Sequence, residues 1–389
     1  MRNIIHIKQN VASLLYTLAR LMLRALPIDR RLIVFESQGD FCDNSWALYQ
    51  FLRKRGGYHF VWVVAHPSRF VNTDDTVFVG WDTLKQRIDM IRWHETAAFL
   101  FNTHGISCRF WQRPEQRIIS LWHGTPLKGL DKRGQCPQNC DFSITTGDAA
   151  IPLQAKFLSL PESKILPLGS PRNDLLVVNS GRGTSNPYCP AGEIRKLILW
   201  MPTFRASSLD FISEDELDNA SGLPLLSTER DLIAFNDFLK DQNVAVLVKI
   251  HHLQLDKPVF KKKFSNMIFL TDDVLQRDAR QLYQIIGKSD ALLTDYSSVL
   301  IDYWIVDKPE GFILDDIEGY KKSRGFLCEN IEDYLPGHHI YTQEGLKDFV
   351  KSIVDEEDPS AEKRRALRDR FHAASDGSAC RRLCEYFNL

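Results

Sequence analysis

The sequence predicts two doubly wound α/β domains in tandem with a cleft between them. Three observations carry that reading. Short apolar runs of strand length alternate with longer helical patterns, which implies parallel sheets with helices on both faces. Residues 178–193, "VNSGRGTSNPYCPAGE", crowd Gly, Ser, Asn and Pro without apolar periodicity, so a linker divides the alternation in two. Polar and ionisable residues gather where the apolar runs end, and in such folds ligands bind beyond the carboxyl ends of the strands. A chain of 389 residues has room for two such domains, which mostly run ~100–200 residues each.

The first element is of another kind. "IIHIKQNVASLLYTLARLMLRALP", Ile4 to Pro27, is strongly apolar but interrupted by Lys8, Arg20 and Arg24. Leu14, Leu18, Leu21 and Ala25 recur at helical spacing, and Leu15 and Met22 widen that face. The charges break any span long enough to cross a bilayer, and no small-residue cleavage site follows. An amphipathic helix over residues 1–27 that lies on a membrane surface is expected, the alternative being a helix packed on the protein's own body.

A first domain over 28–180 is then expected from "RLIVFES" (31–37), "HFVWVVA" (59–65), "AAFLFNTH" (97–104), "RIISLWHG" (117–124), "FSITTG" (142–147) and "KILPLG" (164–169). Each has the length of a strand buried on both faces, and 43–55 and 84–94 read as helices between them. A second domain over 194–389 follows from "KLILWMPT" (196–203), "VAVLVKIHH" (244–252), "MIFLTDD" (267–273), "DALLTDYSS" (290–298) and "EGFILDD" (310–316). The tail "AEKRRALRDRFHAASDGSACRRLCEYF" reads as a charged helix pair or one long helix.

Composition removes several classes. A net charge of -1 gives no global attraction for nucleic acid, so an anionic partner must be held by local clusters. Eight cysteines are scattered without a framework spacing, as reduced thiols are. Cys136/Cys140 and Cys380/Cys384 have three intervening residues instead of the two of a common zinc knuckle, so no metal site and no cofactor are expected. The Walker A loop, the G-x-G-x-x-G fingerprint and the G-x-S-x-G nucleophile elbow are all absent from the sequence.

The chemistry is expected at the strand ends. His123 closes "IISLWHG", and the turn Gly124-Thr125-Pro126 would expose its ring, which can take a proton from an alcohol. Lys128, Lys132 and Arg133 follow, facing either an anionic ligand or only solvent. Lys249 and His251 share one strand face, while His252 points the other way. Thr294 to Ser298 close another strand, and Ser297 or Ser298 would cap the next helix. The free N–H groups there suit a phosphate, although a plain N-cap has the same sequence. Lys249 and Arg205 would supply cations for a pyrophosphate, and Asp302 would meet a ribose or base, or only solvent.

The motifs "LWHGTPLK", "LGSPRND", "PTFR" and "TDYSSVLIDY", followed by "FILDDIEGYKKSRGF", resemble the CDP-glycerol glycerophosphotransferases of teichoic-acid and capsule synthesis, over about residues 30 to 330. The resemblance implies a GT-B arrangement of two Rossmann-like domains. It also implies transfer of glycerol phosphate from CDP-glycerol to a lipid-linked saccharide or polymer acceptor, with release of CMP, at the cytoplasmic face of a bacterial membrane. By motif, His123 resembles the general base of the acceptor side, and His251 the donor-phosphate histidine, with His252 standing where the family carries proline. Ser297, Ser298 and Asp302 match the segment that holds the CDP moiety, and Arg324 matches the basic position after it. Arg172 and Asp174 lie in the "PRND" turn near the domain junction and are expected to bind substrate, as are Lys128 and Thr294. CDP-ribitol as donor, a nucleotide-sugar transferase, and a binding protein without turnover are the competing readings.

Overall fold

The computed structural model describes residues 17, 20–108, 112–130, 139–203, 222–250 and 258–389. Seven strands form the first sheet: β1 (Asp29–Glu36), β2 (His59–Val63), β3 (Thr76–Val79), β4 (Ala97–Asn102), β5 (Arg117–Ser120), β6 (Phe142–Ile144) and β7 (Ile165–Leu166). Their order is β3-β2-β1-β4-β5-β6-β7, and every pairing is parallel. The central strands are apolar on both faces because helices cover both. Ile33 and Phe35 of β1 pack with Tyr49, Phe60, Trp62 and Phe101 on one side, and Leu32 and Val34 pack with Met90, Leu100 and Ile118 on the other.

Six strands form the second sheet: β8 (Lys196–Trp200), β9 (Val244–Lys249), β10 (Met267–Leu270), β11 (Ala291–Thr294), β12 (Glu310–Ile313) and β13 (His338–Ile340). The order β10-β9-β8-β11-β12-β13 is that of dinucleotide-binding sheets, with the strand order reversing between β8 and β11. A ligand crevice is expected where those two strands end. Tight-turn chemistry sets the helices between them: Thr83 and Thr228 each close a capping box with the residue three positions on.

The alternation expected from the sequence is present, with three differences. β3 and β13 were not anticipated; both are short edge strands, and "HHI" has little apolar signal. The linker is held down, because the Lys308 ammonium donates to the carbonyls of Gly181, Gly287 and Ser289. Tyr188 and Cys189 pack on the second domain's core. The tail forms two helices, Ala361–Phe371 and Ala379–Phe387, and the second returns to the first domain. Cys380, Leu383, Cys384 and Leu389 sit in the core with Phe35 and Trp62, so residues 194–389 do not all belong to the second domain.

Of the N-terminal segment, most of the expected helix lies outside the described residues. In the described part, Arg20 turns inward to Glu95 at 3.7 Å, and Arg113 donates to the Leu26 carbonyl. Leu21 and Met22 are 52% and 77% exposed. Among the described residues no helix is long and apolar enough to cross a membrane.

Candidate active site at the domain junction

β5 ends in a turn that sets the position of His123. Trp122 is left-handed (φ 49°) although it is not glycine, a strained conformation that must be held from outside. Asn44 holds it: its side-chain amide donates to the carbonyls of Leu121 and Trp122 at 3.1 and 2.8 Å. The Asn44 carbonyl oxygen accepts the Arg172 backbone N–H at 3.0 Å, which ties the turn to helix Pro171–Val178. Gly124 follows with φ 129°, and a Cβ there would lie 2.6 Å from Ser298 Oγ and 2.9 Å from an Arg172 guanidinium nitrogen. A glycine is therefore required where the His123 turn meets the second domain.

His123 is half-buried, and its Nδ1 lies 3.1 Å from the Thr103 carbonyl oxygen. A carbonyl only accepts, so Nδ1 carries the proton and Nε2 carries the lone pair. Burial, and secondarily the Arg172 charge, pull the His123 pKa below the ordinary imidazole value. The ring is therefore neutral and basic at Nε2. This is the state a proton acceptor needs.

Arg172 is the hub of the junction. One end donates to Asp43 Oδ1 at 2.8 Å in the first domain, and the other to Asp302 Oδ2 at 2.6 Å in the second. Its guanidinium lies 4.4 Å from the Tyr283 ring centroid, and Tyr283 and Asn173 fill the remaining acceptor positions of Asp302. Asp302 is 1% exposed. The expectation that Arg172 and Asp302 face a ligand is corrected here, since each is consumed by the other. Asp174 is likewise structural: its carboxylate accepts the N–H groups of Ala379 and Cys380 and caps the terminal helix.

Around the β8/β11 switch point, Thr203 and Asp295 bond through both the Thr203 hydroxyl and its N–H, at 2.6 and 2.7 Å. Lys128 reaches across from the first domain to the Thr203 hydroxyl at 2.8 Å and lies 5.6 Å from the Tyr296 ring. The chain around Lys128 pairs with residues 324–327: Leu327 N–H donates to Leu127, Gly129 N–H to Gly325, and Arg324 Nε to the Gly129 carbonyl. His123, Lys128, Arg324 and Ser298 are thus brought to one junction. Lys249 closes β9 and pairs with Asp272 at 2.9 Å.

Two further expectations change. Thr294 is buried and spends its hydroxyl on the Met201 carbonyl. The helix after Ser298 is only Val299–Tyr303, and Ser298 makes no side-chain capping bond. So short a helix has a weak dipole, and any anion there must rely on side chains as well as N–H groups. Arg205, His251, His252, Lys132 and Arg133 lie outside the described residues. Among the described residues no group of three or more His, Cys, Asp or Glu is placed to hold a metal ion.

Sequence reasoning missed His104, which follows β4 as His123 follows β5. Its ring stacks on that of His123 with centroids 3.9 Å apart and planes 7° apart. The neighbouring strands pair Asn102 with Ser120, so the two strand-end loops had to lie side by side.

Two parallel sheets that join through a histidine-bearing turn and an ion-paired junction define a two-domain α/β protein of GT-B architecture. The chain belongs to the family described as CDP-Glycerol:Poly(glycerophosphate) glycerophosphotransferase, which it matches over residues 18–388. It is 27% identical to a teichoic acid glycerol-phosphate transferase of Staphylococcus aureus, over 97% of this chain and 98% of that protein. It is 29% identical to a teichoic acid poly(glycerol phosphate) polymerase of Staphylococcus epidermidis, over 89% of this chain but 49% of that one, so it spans about half the polymerase. A teichoic acid ribitol-phosphate primase of Bacillus spizizenii is 26% identical over 71% of this chain and 70% of its own length. The structure of the wall teichoic acid polymerase TagF shares the fold, with a TM-score of 0.77, 22% identity, and coverage of 100% of this chain and 96% of that one.

Proposed function

We propose that the protein transfers glycerol phosphate from CDP-glycerol to a hydroxyl of a lipid-linked saccharide or polyol-phosphate acceptor and releases CMP. The observation that carries this reading is His123: neutral, unprotonated at Nε2, and followed by Gly124, whose close approach to Ser298 sets the turn at the junction. Nε2 takes the proton of the acceptor hydroxyl as its oxygen attacks the glycerol-bearing phosphorus. The bond from that phosphorus to the bridging oxygen breaks, and CMP leaves with the electron pair. Among the described residues, Lys128 and Arg324 would offset charge on the pyrophosphate, Lys249 would do so in exchange for its Asp272 pair, and Ser297 and Ser298 would supply hydroxyls. Holding donor and hydroxyl together across the junction supplies the rest of the rate.

The acceptor reading brings the chain to the cytoplasmic face of a bacterial membrane as a peripheral protein. Supporting this, the described part of the N-terminal segment turns Arg20 inward and leaves Leu21, Met22 and Leu26 outward. Replacing the exposed Leu21 and Met22 by serine, which keeps Arg20 at Glu95 and the Leu26 carbonyl at Arg113, is expected to weaken flotation with anionic vesicles while leaving the fold intact; undiminished flotation refutes the anchor.

A second reading, with CDP-ribitol as donor, draws support from the similarity to a ribitol-phosphate primase. CMP release from CDP-glycerol, CDP-ribitol and a UDP-sugar, each offered with a lipid-linked disaccharide, separates the readings. Acceptor-dependent CMP from CDP-glycerol alone is the expected result. Release from CDP-ribitol alone replaces the donor, and release of UDP overturns the reaction class.

A further inference from the structure

The stacked pair His104/His123 has an asymmetry that the transfer reaction does not require. Both rings are anchored to one residue. His123 Nδ1 meets the Thr103 carbonyl, and His104 Nδ1 meets the Thr103 hydroxyl at 2.9 Å. That hydroxyl also accepts the Gln38 backbone N–H at 3.1 Å, and Thr103 is 0% exposed. A buried hydroxyl proton left without an acceptor costs free energy, and His104 Nδ1 is the acceptor within reach. His104 Nδ1 is therefore the unprotonated nitrogen, and its proton sits on Nε2.

The two rings thus hold opposite tautomers. At His123 the Nε2 edge accepts; at His104 it donates. Among the described residues neither Nε2 has a partner, and His104 is exposed where His123 is half-buried. The rings stack with centroids 3.9 Å and planes 7° apart, and both Nδ1 atoms meet Thr103, so both Nε2 edges lie on the side away from Thr103, one donating and one accepting. That pattern fits an alcohol whose neighbouring oxygen can accept a hydrogen bond, as in a polyol or its phosphate.

We propose that His104 is an acceptor-binding residue: its Nε2–H donates to an oxygen adjacent to the hydroxyl that His123 deprotonates, and so selects polyol-type acceptor ends. The proposal rests on the acceptor side assigned above, but its tautomers can be tested without turnover. In the imidazole nitrogen NMR spectrum of the full chain, His104 is expected as the Nε2–H form and His123 as the Nδ1–H form. Addition of glycerol phosphate should shift the His104 Nε2 signal. The Nδ1–H form at His104, or an unmoved signal at saturating glycerol phosphate, overturns the proposal.

Kinetics then separate binding from packing. His104→Phe keeps a ring on His123 and loses the donor; the acceptor KM should rise about 10-fold with kcat little changed. His104→Gln restores a donor and should return KM to within about 3-fold of the parent. A Phe variant with the parental acceptor KM makes His104 a stacking partner only and overturns the assignment. Should the parent protein itself give no CMP, the transferase reading fails, and the nitrogen spectra still decide the state and contacts of His104.

Discussion

Arg172 and Asp302 are joined at 2.6 Å across the two domains, and both are almost fully buried. The sequence gives no sign that they pair, since 129 residues lie between them. A buried pair is stable only while complete, because removing one side strands a desolvated charge. Arg172→Leu should therefore lower stability by about 3–5 kcal/mol, read as a fall in the midpoint of chemical denaturation. A loss under about 1 kcal/mol would place the pair among exposed bridges and contradict the burial described.

Gly124→Ala tests the fit between the domains. The added methyl meets Ser298 Oγ and the Arg172 guanidinium, and the backbone there is already left-handed. The His123 turn or the second domain must move, and displacement of about an ångström is enough to lower turnover by ~10²-fold. Turnover within about 3-fold of the parent would show that the junction yields freely.

The pH profile follows from the lowered His123 pKa. The neutral ring is the active form, so activity is lost as pH falls through its pKa. Burial first, and Arg172 second, lower that pKa, so the acidic limb of kcat/KM should lie below the ordinary ~6.5 of imidazole. His104 and His372 are shifted the same way. Groups of this kind bind protons more readily when unfolded, so the stability they contribute above ~6.5 is lost on acidification. An acidic limb at or above ~6.5 would require a solvated His123 or another base.

The alternation of apolar runs made both sheets legible, because strands buried on two faces leave long apolar signatures. β3, "TVFV", escaped because it is only four residues long, and "HHI" of β13 carries almost no apolar signal. At the site, "WHGTP" marked His123 because glycine and proline end a buried strand visibly. Asp302 was legible as a position of the "TDYSSVLIDY" motif but not as a partner of Arg172, since a carboxylate in a helix reads alike whether paired or free. The strand-end "NTHG" carried the same signal as "LWHG", and only the adjacency of β4 and β5 gives His104 its meaning.

The proposed role of His123 as proton acceptor in transfer from CDP-glycerol can be read in a single turnover of donor-saturated enzyme mixed with lipid-linked disaccharide, comparing the parent protein with His123→Ala. Unchanged CDP-glycerol affinity and acceptor-dependent CMP formation slowed by ~10²–10⁴-fold are expected. Equal rates from the two proteins would remove His123 from the chemistry.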